Sequence, residues 1–149
     1  MDEKKNATFS IITFLFFTIL LGAFSCPQKH SFSTQFYIAE SLMDQHPDSA
    51  LKIMVDFNDT DYLSEKEKSD YYLLLTEAKD KNYITHTSDS LINTAVKYYE
   101  EGTDPVIKAK SYYYQGRVYH DMQRLAEAAL VIKKRQMRLK KQHHTGLNH

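Results

Sequence analysis

The sequence predicts an all-α protein built from antiparallel helix pairs, and three observations support this fold class. After residue 33, apolar residues recur at intervals of three and four, and no alternating apolar–polar run of strand length occurs. The 149 residues include only 4 Gly and 3 Pro, too few for the many tight turns of a strand-rich fold. Helix start and stop signals divide the chain into six segments, which form either a stack of hairpins or a closed six-helix bundle.

The first 25 residues have the character of a targeting segment rather than of a folded domain. Lys4 and Lys5 precede an uncharged stretch over residues 6–28 whose centre is rich in Phe, Ile and Leu. A basic start followed by an apolar run and small residues is the layout of a secretory signal, and the run is also just long enough to span a bilayer. We therefore expect residues 1–25 to be a signal peptide or a membrane anchor.

Cys26 ends the sequence Leu-Gly-Ala-Phe-Ser-Cys at residues 21–26. This sequence resembles the lipobox of bacterial lipoproteins, in which the Cys carries the lipid and becomes the mature N-terminus. The resemblance implies lipid attachment at Cys26, the only cysteine of the chain, followed by a tether to residue 34. An uncleaved anchor helix and an ordinary secretion signal are the alternatives. All three place the remaining residues outside the cytoplasm, on the periplasmic or outer-membrane side of a bacterial cell envelope.

The first three helices are predicted from their boundary signals. The first covers about residues 34–45 and ends before Pro47. The second starts at Pro47 and Asp48, because Pro suits the first turn of a helix and Asp complements the helix dipole. The sequence Ser-Glu-Lys-Glu at 64–67 has the form of a capping box and opens the third helix, which runs to about Lys81.

The last three helices follow in the same way. The fourth carries apolar residues at helical spacing from Leu91 to Tyr99. The sequence Gly-Thr-Asp-Pro at 102–105 combines a helix stop, an N-cap and a proline suited to a first turn. The fifth helix is predicted to end near Met122, and the sixth to run from about Leu125 toward Lys141. Because only a few residues link one predicted helix to the next, successive helices should lie antiparallel beside each other.

The last helix pair matches the spacing of a tetratricopeptide repeat at five positions. Its first helix has large aromatic residues at Tyr112 and Tyr119 and a small residue at Gly116 between them. Its second helix has a small residue at Ala128 and a large apolar residue at Ile132. Small residues at Gly116 and Ala128 should let the two helices cross closely, while the large side chains fill the space around the crossing. Three positions depart from the pattern, namely Gln115, Arg135 and Lys140.

Weaker versions of this spacing occur earlier, with Ala39 and Ala50 in the first pair and Ala78 and Ala95 in the second. Over about residues 36–134 the chain resembles the tetratricopeptide-repeat lipoproteins of Bacteroidetes-type bacteria, and it is similar to a short or truncated member. The resemblance implies stacked repeats over residues 35–134 and a basic C-terminal tail over residues 135–149. In a truncated copy the last helix would lack its next neighbour.

The sequence contains no catalytic constellation. The patterns of phosphate-binding loops, dinucleotide-binding loops, zinc proteases and serine hydrolases do not occur. His120 and Asp121 are adjacent, which should point them to different sides of a helix. The histidines at 143, 144 and 149 have no acidic residue or cysteine near them and make a poor metal site. We therefore expect no enzymatic activity, no metal and no cofactor.

The formal net charge of the chain is +0, but its acidic and basic side chains are unevenly distributed along the sequence. Residues 26–104 contain 15 acidic and 7 basic side chains, whereas residues 105–149 contain 2 acidic and 10 basic side chains. The basic run at 133–141 is consistent with a solvated last helix, with contact to an anionic membrane surface or with nucleic-acid binding. The expected location outside the cytoplasm argues against nucleic acid.

These observations predict a membrane-anchored, non-enzymatic repeat module that binds a protein or peptide in the cell envelope. Repeat proteins of this kind bind through a groove, which here would be lined by the first helix of each pair. The candidate groove residues are Tyr71, Lys79, Lys110, Tyr113 and Arg117. One alternative is a structural envelope protein that scaffolds or oligomerises. Another is a regulator that contacts nucleic acid through its basic tail.

Overall fold

The computed structural model describes residues 32–57 and 59–145, with side chains as far as Met137, and these residues contain six α-helices and no strand. The helices are α1 (Phe32–Leu42), α2 (Pro47–Asp56), α3 (Glu65–Lys81), α4 (Ser90–Glu101), α5 (Pro105–Asp121) and α6 (Leu125–Thr145), with a 3-10 turn at Thr60–Tyr62. The predicted all-α class is confirmed. The predicted targeting segment 1–25 and Cys26 lie outside the described residues.

The start of α3 and the start of α5 follow from local sequence signals. Ser64 and Glu67 form the predicted capping box, with Ser64 Oγ accepting from the Glu67 backbone and the Glu67 carboxylate accepting from the Ser64 backbone. The Asp104 side chain accepts a hydrogen bond from the Val106 backbone N–H at 2.8 Å, and Pro105 occupies the first turn of α5. Both boundaries therefore agree with the prediction.

Helix α1 is displaced toward the N-terminus relative to the prediction. It begins at Phe32 instead of residue 34 and ends at Leu42 instead of residue 45, so residues 32–34 of the predicted tether are helical. The Phe32 ring lies 5.4 Å from the Phe57 ring and 6.4 Å from the Tyr71 ring. Burying an aromatic ring favours extending the helix to include Phe32.

The six helices form a stack of hairpins. Each helix packs on the next one along the chain, and the remaining substantial contacts join α1 to α3 and α3 to α5. The first helix of each hairpin therefore lies beside the first helix of the next. This pattern of neighbour-to-neighbour contact is that of a helical repeat, whereas a closed bundle would also pack its first hairpin against its last.

The buried residues are divided among three successive clusters. The first joins α1, α2 and α3 around Met54 and Leu74, the second joins α3, α4 and α5 around Ile92 and Tyr112, and the third joins α5 and α6 around Tyr119. No cluster of the described residues is shared by all three hairpins. Among the described residues, every buried member of the three clusters lies between residues 39 and 131, so a chain that begins at Ser31 contains all of them.

Gly116 lies at a close crossing of α5 and α6, as predicted. A Cβ atom at this position would lie 3.1 Å from Ile132 Cγ1 and 3.3 Å from Val131 Cγ2. Val131 and Ile132 supply the nearest atoms to such a Cβ, and Ala128 is buried with Tyr119 and Val131 in the third cluster. Ile132 is 41% exposed, so it only partly fills the space around the crossing.

The aromatic packing positions are both buried, with Tyr112 1% and Tyr119 9% exposed. Gln115, which replaces a usual leucine, is also buried, and its amide donates to Asn93 Oδ1 at 2.8 Å. The Tyr119 hydroxyl contacts the same Asn93 oxygen at 3.2 Å. A polar network between α4 and α5 therefore compensates the burial of the Gln115 side chain, which would otherwise be costly.

Candidate functional site

A groove opens between α1, α3 and α5, the first helices of the three hairpins. Its cavity has a volume of about 280 Å³. We call it the first-helix groove, and its lining residues are Phe36, Glu40, Asp70, Leu73, Leu74, Tyr99, Asp104, Val106, Ile107 and Lys110. Cavities that hold whole small molecules usually have volumes of roughly 300–1,000 Å³. The groove lies at the lower edge of this range and is large enough for one or two side chains of a polypeptide.

The apolar lining of the groove comes from helix faces that the stack leaves uncovered. Val106 is 66% exposed, and Ile107 and Phe36 are partly exposed. Leu73 and Leu74 of α3 also line the groove and are almost fully buried. Large apolar side chains grouped around a concavity are typical of a binding surface.

Asp70 is the buried acid of the groove. Its carboxylate accepts a hydrogen bond from the Tyr99 hydroxyl and pairs with Lys66 Nζ at 2.7 Å. Burial, together with the hydrogen bond to Asp70, raises the pKa of Tyr99, so this hydroxyl stays protonated and serves as a donor. The hydrogen bond to Asp70 also raises the pKa of Lys66. Asp70 is thus neutralised by its neighbours and fixes the base of the groove.

Glu40 and Asp104 give the rim of the groove its net negative charge. Glu40 is exposed, and its side chain has no hydrogen-bond or ion-pair partner among the described residues. Asp104 uses one oxygen to cap α5 and has no basic partner in that part of the chain. Lys110 also lines the groove, but it pairs with Glu77 of α3 at 2.6 Å, which offsets its charge. A cation on a ligand would therefore be favoured at this rim.

Another cleft, between α3 and α4, differs in charge. It has a volume of about 250 Å³ and is lined by Glu65 and Lys68 on α3 and by Lys97 and Glu101 on α4, together with neutral residues. Two acids and two bases balance one another there. The uncompensated negative charge therefore distinguishes the first-helix groove from this cleft.

Three of the five predicted groove residues share one face of α5 and reach toward other helices. Lys110 is the only one of the five that lines the groove. Arg117 Nε donates to Asp80 Oδ1 on α3 at 2.8 Å, a bond that raises the pKa of Arg117. Tyr113 is 38% exposed, and the Arg135 guanidinium carbon lies 5.2 Å from the centre of its ring. These side chains tie α5 to its neighbours.

The two predicted residues on α3 are placed differently. Tyr71 was expected to face outward but is only 7% exposed, and its hydroxyl donates to the Met54 backbone oxygen at 2.9 Å. It packs inward because it joins the aromatic cluster with Phe57, at a ring distance of 5.7 Å. Lys79 is partly buried and close enough to His86 to influence its pKa.

Sequence reasoning missed Phe36, Glu40 and Val106 as groove residues. The signal available in the sequence was the apolar pair Val106 and Ile107 directly after Asp104 and Pro105, because a first helical turn does not require apolar residues. In the structure Val106 is exposed and Ile107 is partly buried.

His86 is a buried titratable group in the link between α3 and α4. It is 7% exposed, and its Nε2 has no hydrogen-bond partner among the described residues. Burial lowers its pKa from the ordinary value of 6.5, and this effect outweighs the charges that raise it. The neighbouring charges are Asp121 and Asp80, which raise the pKa, and Lys79 and Arg117, which lower it.

We expect acid to destabilise the fold through His86. The unfolded chain takes up a proton near pH 6.5, whereas the folded chain resists protonation to a lower pH, so the free energy of unfolding falls as the pH drops below 6.5. Urea unfolding of residues 31–149 between pH 7 and pH 5 should show a weaker pH dependence in His86→Gln than in the natural chain. His46→Gln changes an exposed histidine and should leave the dependence intact. An unchanged dependence in His86→Gln would contradict the assignment.

His120 and Asp121 were expected to point to different sides of α5. Instead His120 Nδ1 lies 3.9 Å from Asp121 Oδ1. The imidazole is exposed, and the other Asp121 oxygen accepts from the His86 backbone N–H at 3.0 Å. Asp121 therefore anchors the α3–α4 link.

The described part of the chain contains no group of three or more His, Cys, Asp or Glu side chains arranged to hold a metal ion. None of its helices is both long enough and apolar enough to cross a membrane. Cys26, the predicted lipid-attachment site, and the histidines at 143, 144 and 149 fall outside the residues whose side chains are described.

No protein-family model matches the chain, and no curated protein or solved structure does either. The resemblance to tetratricopeptide-repeat lipoproteins therefore stays a prediction from residues 36–134.

Proposed function

We propose that the protein is a non-enzymatic, membrane-anchored helical-repeat module that binds a protein or peptide in the bacterial cell envelope. The observation that carries this proposal is the first-helix groove, in which exposed apolar side chains meet an acidic rim. Its volume of about 280 Å³ is large enough for one or two side chains of a polypeptide. The anchoring part of the proposal rests on the apolar N-terminal run and Cys26.

The stacked hairpins support the groove mechanically. Ion pairs between α3 and α5 join Glu77 to Lys110 at 2.6 Å and Asp80 to Arg117 at 2.8 Å. Lys81 on α3 pairs with Asp44, just after α1, at 2.6 Å. These bonds hold the first helices side by side, so the groove exists before a partner binds. A preformed surface loses less conformational entropy on binding than a flexible one.

Site-specific photo-crosslinking in the native cells tests the proposal. A photoreactive phenylalanine analogue replaces Val106 inside the groove, and a matched chain carries it at Val55 on α2, which is 56% exposed and outside the groove. We expect a discrete protein adduct from position 106 and none from position 55. The additional change Glu40→Lys should abolish the adduct, because it reverses the charge of the rim.

Two crosslinking results would contradict the proposed function. Equal adducts from positions 106 and 55 would indicate nonspecific contact. Adducts of the chain only with itself would favour a scaffold protein that oligomerises. Membrane anchoring is checked separately, since Cys26→Ala should abolish metabolic labelling by a palmitate analogue, and retained labelling would exclude this attachment site.

A further inference from the structure

Helix α6 carries large apolar residues and lysines together on an exposed face. Leu130 is 63% and Met137 is 55% exposed, and Lys133 and Lys134 between them are also exposed. Intervals of three, four and seven residues place all four on the same side of a helix. We call these four residues the α6 face.

The packing of the hairpins does not account for the α6 face. Helix α6 packs on α5 through Ala128 and Val131, which are both buried. Helix α4, the second helix of the preceding hairpin, exposes mainly the polar residues Thr94, Lys97 and Glu101, and its aromatic residue Tyr98 is only 38% exposed. Single exposed apolar residues are normal on a protein surface, whereas large apolar residues grouped with lysines on one face have the composition of an interfacial helix.

The charge of α6 is strongly positive. The sequence of α6 contains six basic residues from position 133 to position 141, whereas Glu127 is its only acid. Glu127 is already paired with Arg124 Nε, at 2.6 Å. Lys133 has no partner among the described residues, whereas Lys134 pairs with Glu100 at 3.7 Å and lies 5.7 Å from the centre of the Tyr112 ring. The Lys134 side chain is nevertheless 52% exposed, so both lysines can contact an external anion.

We propose that the α6 face docks on the surface of a bilayer that contains anionic phospholipids. Leu130 and Met137 enter the boundary between headgroups and acyl chains, and Lys133 and Lys134 contact the headgroup phosphates. A helix that combines exposed apolar residues with several lysines has the two features that interfacial binding requires. An acidic polypeptide would satisfy the charge alone. The inference is independent of the first-helix groove and of lipid attachment at Cys26.

Sedimentation with vesicles tests this docking. Residues 31–149 contain every buried member of the three described clusters and lack the N-terminal apolar run, so vesicle binding by this fragment does not depend on that run. Vesicles of phosphatidylcholine are compared with vesicles in which about one third of the lipid is phosphatidylglycerol. We expect binding only to the anionic vesicles, and we expect about 0.5 M salt to weaken it because exposed charges are screened.

Two variants and a matched control locate the contact. Lys133→Glu with Lys134→Glu should reduce partition into anionic vesicles by about tenfold or more, since each basic residue near the surface contributes measurably. Leu130→Ser with Met137→Ser should also reduce it at unchanged net charge. Lys52→Glu with Lys97→Glu makes the same change of net charge on exposed positions of α2 and α4 and should have a much smaller effect.

Three results would overturn the proposal. Equal binding to neutral and anionic vesicles would remove the role of charge. An equal loss in the α2/α4 control would show that net charge, not the α6 face, governs binding. Binding to polyglutamate without binding to anionic vesicles would assign the face to an acidic polypeptide. Loss of groove crosslinks leaves this inference unaffected, because the two experiments probe different surfaces.

Discussion

Tyr112→Ala should lower the free energy of unfolding of residues 31–149 by about 3–5 kcal/mol, as removal of large buried side chains does. Tyr112 is 1% exposed and is the largest fully buried side chain among the described residues. Its hydroxyl also donates to Glu100 Oε1 at 2.7 Å, and this bond is lost in the variant. Urea denaturation followed by circular dichroism measures the change.

The neighbouring tyrosine provides the control for this prediction. Tyr113 is 38% exposed and touches Tyr114 edge-on at a ring distance of 5.0 Å. Tyr113→Ala removes the same atoms and should cost less than half as much, because a partly solvated ring leaves a smaller cavity. Equal losses in the two variants would contradict the burial of Tyr112 between α4 and α5.

Gly116→Leu should destabilise the fold by about 1–3 kcal/mol or more, the usual cost of overpacking. Even a Cβ atom at this position lies 3.1 Å from Ile132 Cγ1 and 3.3 Å from Val131 Cγ2, so a leucine must push α6 away from α5. Thermal and urea unfolding of the fragment measure the loss.

Two further variants separate crowding from helix propensity. Ala129→Leu adds the same side chain at an exposed position of α6 and should change stability by only about 0.5 kcal/mol. Gly116→Ala should be close to neutral, because a gain of about 1 kcal/mol in helix propensity offsets the tight contact. Full stability of Gly116→Leu would refute the close crossing.

The sequence predicts the helix boundaries well where the signal is local. The capping box at Ser64 and Glu67 and the Asp104–Pro105 start need only neighbouring residues to form, and both occur as expected. The start of α1 was misplaced because Phe32 joins the helix through rings at Phe57 and Tyr71, which are distant in sequence. Local patterns cannot show such contacts.

Packing and the candidate site also combine features that neighbouring residues determine with features that depend on residues distant in sequence. The close approach at Gly116 was predictable because only a small residue fits there, but its partners depend on the relative shift of two helices. Tyr71 and Tyr113 are both tyrosines on first helices of hairpins, yet one is buried and the other is partly exposed. The difference arises from Met54 and Phe57 on and after α2, which cover Tyr71. The first-helix groove likewise depends on three helices coming together.

Hydrogen exchange on two truncated chains tests the central claim, that consecutive hairpins stack rather than enclose one shared core. One chain, residues 31–103, lacks α5 and α6, and the other, residues 59–149, lacks α1 and α2. The account predicts that backbone amides of α1, α2 and α3 stay protected in the first chain and those of α5 and α6 in the second, because each set retains its own cluster. Loss of protection throughout both chains would contradict the stack and indicate a single cooperative bundle.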